Sequence, residues 1–284
     1  MCAYRQDGGA TGTITQNDVL IGGAGNALAS VSPGILPSFL VQNSSGVPVW
    51  SKTAGGPDII FWEDDFFYLA LGGSTWMPWG FASNGSGTTA GIKVGTAANP
   101  GIVTMTTGST NTGQAGIYKG DCYAGNGFGN SILGGGVYDL WFVMSIGTLS
   151  TGIDEFQVYF GIGDGFEPYQ TSPGSNGCIF RYIRTTSVNW QGVTLSGGST
   201  TVASGGSNVA VATGFHNFRI SINAAASSVS FYVNGTLIGT SAANISTSVP
   251  ISIGACINKT VGTNSRNLDW DYVGFYNQLT TSRF

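Results

Sequence analysis

Charge is scarce in this chain. Of 284 residues, 10 are Lys or Arg and 14 are Asp or Glu, 8% in all, where roughly 25% is usual. The Glu and Lys that build coiled coils and long bundles are therefore missing. Net charge is −4 and no basic cluster exists. A nucleic-acid surface needs cations that release counterions from phosphates, so DNA and RNA binding are excluded as expectations. No apolar run approaches the roughly 20 residues of a membrane span, so no membrane insertion is expected. The opening residues, Met-Cys-Ala-Tyr-Arg-Gln-Asp, lack the apolar core of a signal peptide. Cysteine is sparse too. Cys2, Cys122, Cys178 and Cys256 match no zinc or redox spacing, and free thiols in a reducing cytosol are expected. Disorder is excluded as well, because net charge is small and large apolar side chains are plentiful.

Turn chemistry and strand chemistry occur together. Glycine supplies 46 residues, more than twice the usual share of roughly 7%, without the every-third-residue period of collagen. Aromatics reach 12%. Gly, Ser, Thr and Asn clusters punctuate short aromatic and β-branched runs, the pattern of an all-β domain with many turns. Strands are expected at 59–71, 102–106, 137–146, 155–162, 178–184, 188–195, 209–212, 215–223, 228–233, 236–239, 249–255 and 268–276. Five Asn-x-Ser/Thr sequons begin at Asn43, Asn84, Asn234, Asn244 and Asn258, the number that chance gives in such a composition.

The sharpest local signal is a hairpin. Val229, Phe231 and Val233 alternate with Ser228, Ser230 and Tyr232, and Asn234-Gly235 leads into Thr236-Leu237-Ile238. Asn-Gly supplies the two positive φ angles of a tight hairpin turn. Just upstream, Phe218, Ile220 and Ile222 alternate with Arg219, Ser221 and Asn223. Three consecutive antiparallel strands follow, each with one buried and one wet face. In a chain without helix signals, such strands favour two stacked sheets.

The first 57 residues differ. Two short apolar runs, Val19-Leu20-Ile21 and Phe39-Leu40-Val41, lie among Gly, Asn, Ser and Pro, and the second leads through Asn43–Gly46 to Val47-Pro48-Val49-Trp50 as a small hairpin. So few apolar residues cannot close a core. The expectation is an extended arm at 1–57 for attachment or oligomerisation, with a flexible linker as the alternative, and a sandwich at 58–284.

The segment from Gly214 to Lys259, followed by Arg266–Asn277 (RNLDWDYVGFYN), resembles the C-terminal half of concanavalin A-like (laminin-G-like) jelly-roll domains. Asp64-Asp65-Phe66, Asn99-Pro100-Gly101 and Phe160-Gly161-Ile162-Gly163-Asp164 extend the resemblance over residues 58–280. Asn-Pro-Gly, Gly-Ile-Gly-Asp and Tyr-Val-Asn-Gly together are similar to domains of bacteriophage tail fibres and other virion proteins. Val19–Asn26, Phe39-Leu40-Val41 and Gly46–Trp50 are similar to a repeat of phage fibre stalks. The resemblance implies a concanavalin A-like jelly-roll β-sandwich in a virion structural protein made in the host cytoplasm. It also implies a homotrimer, contacts with other virion proteins through residues 1–57, and host-surface glycans as partners. The alternatives are a carbohydrate-binding lectin domain and a polysaccharide depolymerase.

Hydrolases of this fold align acids along one strand as Glu-x-Asp-x-Glu. Here Glu63 and Asp65 are followed by Phe67, Asp269 and Asp271 have no third partner, and Glu155 is followed by Gln157. Glycoside hydrolysis needs two flanking carboxylates. The expectation is no catalytic residue and no cofactor, the acids serving wet strand faces. The single histidine, His216, shares parity with Phe218 and Ile220 and reads as a strand-end side chain; no Gly-x-Ser-x-Gly turn accompanies it. Gly161–Gly165 precedes no helix, so it is no phosphate loop. Asp121, Asp164 and Glu167 lie in Gly-rich surroundings where calcium could be held, without a ligand spacing, and no metal is assigned.

Sugar stacking needs exposed aromatic rings. Trp76 and Trp79 lie in a Gly-Ser-rich segment, Tyr169 in the loop-like Glu167-Pro168-Tyr169-Gln170, and Trp190 between Asn189 and Gln191. These four are the carbohydrate-binding candidates, with filling a gap beneath a loop or at a subunit contact as the competing role. Trp62, Trp141 and Trp270 lie in strongly apolar strands and are expected in the core. Deleting residues 1–57 is expected to leave the sandwich folded and to abolish oligomerisation. Analytical ultracentrifugation checks this, and an unchanged size contradicts it.

Overall fold

The computed structural model describes residues 19–22, 28–31, 39–42, 48–51, 59–66, 79–119, 132–166 and 173–281. Contacts divide the chain into Met1–Ile60 with the last three residues, and Phe61–Thr281. In the first unit, β1 (Val19–Gly22) pairs antiparallel with β2 (Leu28–Val31), and β3 (Phe39–Gln42) with β4 (Pro48–Ser51). The expected hairpin at Phe39–Trp50 is this second pair.

The strands that follow, in chain order, are β5 (Ile59–Asp64), β6 (Trp79–Asn84), β7 (Thr89–Val94), β8 (Gly101–Thr106), β9 (Gln114–Lys119), β10 (Gly136–Ile146), β11 (Glu155–Gly163) and β12 (Gly177–Ile183). Then come β13 (Gln191–Ser196), β14 (Ser199–Val202), β15 (Ser204–Gly205), β16 (Gly214–Ile222), β17 (Val229–Val233), β18 (Thr236–Ser241), β19 (Ser252–Val261) and β20 (Asn267–Leu279). They form a nine-stranded sheet in the order β15-β18-β17-β16-β10-β20-β8-β7, with β5 also on β20. A seven-stranded sheet runs β14-β13-β12-β11-β19-β9-β6. The chain alternates between the sheets, so that β9, β11 and β19 lie in one and β8, β10 and β20 in the other. This is the expected all-β jelly-roll sandwich, and the described residues contain no helix.

Alternation decides which side chains meet between the sheets. Along β10, Tyr138, Leu140, Phe142 and Met144 are buried, while Val137, Asp139, Trp141 and Val143 are half-buried on the outer face. Phe218 and Ile220 of β16 and Phe231 of β17 point inward in register with them. The facing sheet supplies Phe156, Phe160, Phe180 and Tyr182. Rings from the two sheets interlock edge to face. Phe160 lies 4.8 Å from Phe218 and 5.6 Å from Phe142, and Phe180 lies 5.4 Å from Phe231. Such pairs add about 0.5–1.5 kcal/mol each beyond area burial. At the other end, fully buried Trp270 contacts Phe66, Trp79 and Phe142 at 5.2, 5.3 and 5.9 Å.

The Asn234-Gly235 hairpin forms as expected. Asn234 has φ 49° and Gly235 φ 78°, and Val233 pairs with Thr236 across them. Six strands, β2, β6, β7, β9, β14 and β15, were not expected. Their Gly, Ser and Thr content hides them; neighbouring strands supply their ladders, and tertiary context overrides weak propensity. The reverse holds at 209–212, where Ala210 makes only an isolated bridge to Asn189. Cys178 and Cys256 are free and buried, and burial pushes both thiols up to about 12.

Buried polar groups pin the loops. Asp154 accepts from the Asn264 amide and side chain, and Arg266 lies 3.3 Å away. Lys259 donates to the Gly108 carbonyl at 2.9 Å and to that of Asn264. Replacing Trp270 with Ala removes the ring shared by Phe66, Trp79 and Phe142 and is expected to cost about 3–5 kcal/mol in urea unfolding. A loss below about 1 kcal/mol contradicts this packing account.

Candidate functional site

The acids come first, because glycoside hydrolysis would need two of them flanking one bond. Tyr272 Oη donates to Glu63 at 2.9 Å. Asp64 accepts from the Phe66 amide at 2.7 Å and from Trp79 Nε1 at 2.8 Å. Asp269 accepts from Lys93 at 2.6 Å, Thr104 at 2.6 Å and Asn267 at 3.1 Å. Asp271 accepts from Asn99 at 2.7 Å; burial is the first cause that raises its carboxyl, with the Asp65 charge also raising it. Glu155 pairs with Arg184 at 3.2 Å. The expectation that Asp269 and Asp271 serve a wet face is corrected: both are buried, covered by Lys93 and Asn99. Phe66 has φ 56°, so β5 ends before the run that a Glu-x-Asp-x-Glu strand would continue.

Asp164 accepts from the Ser175 and Asn176 amides, both at 2.8 Å, and from the Asn176 side chain at 2.7 Å. Its oxygens close a loop. Among the described residues no group of three or more His, Cys, Asp or Glu is arranged to hold a metal. Asp121 and Glu167 lie outside the described residues. His216 meets Asn234 through Nδ1 at 2.9 Å.

The outer face of the seven-stranded sheet is partly filled by apolar groups. Tyr159, Ile179, Val193, Leu195 and Cys256 form a second buried cluster with Phe166. Phe166 lies across Gly254, where a Cβ would come within 2.5 Å of its ring. Beside the cluster, half-buried Arg181 donates to half-buried Gln191 at 2.8 Å, and the Oη of buried Tyr159 donates to half-buried Gln157 at 2.8 Å.

The outer face of the nine-stranded sheet is open and aromatic. Trp141 lies opposite Arg219 in the ladder, and Arg219 opposite Tyr232. A cleft of about 280 Å³ is lined by Trp141, Asn217, Phe218, Arg219, Tyr232 and Gly235. Arg219 Nε and Nη2 both reach Asp139 Oδ1 at 2.8 Å, and its Cζ lies 5.5 Å from the Tyr232 ring centre. On the other flank, Gly274 is paired with Trp141; a Cβ there would approach Trp141 to 3.2 Å and Tyr272 Oη to 2.9 Å. The expectation that Trp141 is core is therefore corrected: its neighbours Leu140 and Phe142 take the inner face. Trp62 and Trp270 do pack in or against the core.

Two of the four aromatic candidates can be placed. Trp190 is buried at 5% exposure, against Phe160, Tyr182 and Phe218, so its ring has no face for a sugar. Trp79 opens β6 instead of lying in a loop, and it is half-buried on the core beside Phe66 and Trp270. Trp76 and Tyr169 lie outside the described residues. The cleft was missed because Trp141 sits in an apolar strand; the signal that finds it is its parity with Asp139.

A buried lysine was also missed. Lys119 Nζ lies 4.2 Å from the Trp62 ring centre and 4.9 Å from that of Trp79. It has no hydrogen-bond partner among the described residues. Burial lowers its ammonium to about 8, against the opposing pull of the Asp64 charge.

No family model and no curated protein sequence matches the chain. Solved structures do. A protein of unknown function from Shewanella oneidensis MR-1 is 12% identical over 80% of this chain and 89% of its own, with a TM-score of 0.52. The carbohydrate recognition domain of Emp46p, in its potassium-bound form, is 10% identical over 69% and 87%, at 0.47. A prokaryotic β-1,3-1,4-glucanase from a mouse hindgut metagenome is 13% identical over 76% and 98%, at 0.46. The likeness is one of fold: the chain is a concanavalin A-like jelly-roll sandwich. A fold alone does not fix an activity, so binding and hydrolysis both stay open.

The lysine gives a pH test. With its folded value below the ordinary one of roughly 10.4, the unfolded chain binds the extra proton between about 8 and 10.4. Stability relative to Lys119→Met is therefore expected to rise over that window. Parallel unfolding curves for the two proteins from pH 7 to 10 contradict the buried cation.

Proposed function

We propose that the chain is a non-enzymatic bacteriophage virion protein, a fibre or surface decoration, whose sandwich is displayed for host-surface attachment through a lectin-like surface. The observation that carries the non-enzymatic part is the engagement of the acids. Asp64, Asp164 and Asp269 each accept two or more hydrogen bonds from the fold's own donors. A general acid and a base or nucleophile need two carboxyls facing one bond, with room for sugar and water between them.

The virion setting rests on the resemblance of the N-terminal and hairpin motifs to phage fibre proteins. In this reading residues 1–57 contact other virion proteins and assemble a homotrimer. Many copies then convert weak single contacts into firm attachment, because each further contact forms at high effective concentration.

The test is a glycan array run beside a depolymerisation assay on host capsule or cell-wall polysaccharide. Binding without new reducing or unsaturated ends is expected. New ends that persist on purification would overturn the non-enzymatic reading in favour of a polysaccharide depolymerase. Absence of binding across a broad panel would overturn the lectin-like part.

A further inference from the structure

We infer that the Trp141–Arg219–Tyr232 cleft on the outer face of the nine-stranded sheet is a binding site for uncharged hexose units of a glycan. The inference rests on the lectin-like reading above and deepens it by naming the site and the ligand class.

Four observations converge on the cleft. First, the ladder sets Trp141, Arg219 and Tyr232 side by side on three adjacent strands, β10, β16 and β17. Neighbouring strands lie about 4.8 Å apart, so the row spans about the length of one to two sugar rings. Second, all three side chains are half-buried: anchored at the base and open above. Third, the volume of about 280 Å³ lies just below the usual range for pockets that take drug-sized ligands. Fourth, Gly274 keeps one flank of Trp141 low, since a Cβ there would press on Trp141 and Tyr272.

The chemistry points to one class of occupant. A pyranose has an apolar face of C–H bonds and a rim of hydroxyls. The indole and phenol rings carry negative faces that attract polarised C–H groups. Asn217 can donate and accept at the rim, as a hydroxyl requires. The charge balance selects against acids. Asp139 already neutralises Arg219 at 2.8 Å, and the chain carries −4 overall. A uronate or sialate carboxylate would compete with Asp139 for Arg219 while being repelled by it. A hydroxyl can share the guanidinium without displacing the carboxylate.

The experiment uses the full chain. Neutral glucose-, galactose-, mannose- and rhamnose-based oligosaccharides are arrayed beside sialylated and uronate ones, and the strongest binder is measured by calorimetry. Trp141→Ala and Tyr232→Ala are each expected to weaken binding at least tenfold, the loss of one well-seated ring. Trp79→Ala, away from this face, is expected to bind as wild type. Asp139→Asn frees the Arg219 charge and is expected to shift preference towards the acidic glycans. Circular dichroism confirms that each variant is folded. Wild-type binding by both the Trp141 and Tyr232 variants would overturn the site while leaving the lectin-like reading intact. Wild-type preference for acidic glycans would overturn the ligand class. Binding to no glycan at all would overturn both the site and the reading beneath it.

Discussion

The alternation of β10 is the constraint on which the rest depends. This strand lies between β16 and β20 in the middle of its sheet. Tyr138, Leu140, Phe142 and Met144 are buried in the core, and that commitment fixes where Asp139, Trp141 and Val143 go. A slip of one residue would exchange the two sets and expose the core. The same alternation runs through β16 and β17. One face of three strands builds the aromatic interlock with Phe160 and Phe180, and the other face builds the cleft. Core and surface are two readings of one pattern.

Scarce charge shapes what the remaining charges do. Most ionised groups among the described residues hold loops and strand edges in place. Asp154 ties Asn264 and Arg266, Asp164 closes its loop, and Asp269 joins Lys93, Thr104 and Asn267. Lys119 stands apart, because its ammonium faces two indoles and lacks a hydrogen-bond partner among the described residues. In the proposed function, recognition falls to rings and amides. The outer face of the seven-stranded sheet illustrates this: Phe166 covers Gly254, and Arg181 is committed to Gln191. The opposite sheet leaves its aromatic row open.

The fold was legible where alternation was strong. The hairpin at Asn234-Gly235 and the strands carrying Phe218, Phe231 and Phe160 follow from period-two patterning and turn chemistry. β6, β7 and β9 were not legible, because glycine and small polar residues carry no such period and only neighbouring strands hold them. The site was less legible. Trp190 is a sugar-stacking candidate in the sequence, with gap-filling as its competing role, and it fills the gap beneath Phe160 and Phe218. Trp141 read as core because its strand is apolar on both faces; only its position between Leu140 and Phe142 shows that it must point outward. The pairing of Arg219 with Asp139 joins residues 80 apart in sequence, and no local pattern encodes it.

The central claim is that Trp141, placed outward by the packing of its own strand, receives sugar. Its indole N–H can be followed directly. In a two-dimensional spectrum of the tryptophan indoles, assigned by substitution, adding a bound neutral oligosaccharide is predicted to move the Trp141 signal. The signals of core Trp190 and Trp270 are predicted to stay in place. A Trp141 signal that stays fixed while another indole moves would contradict the account.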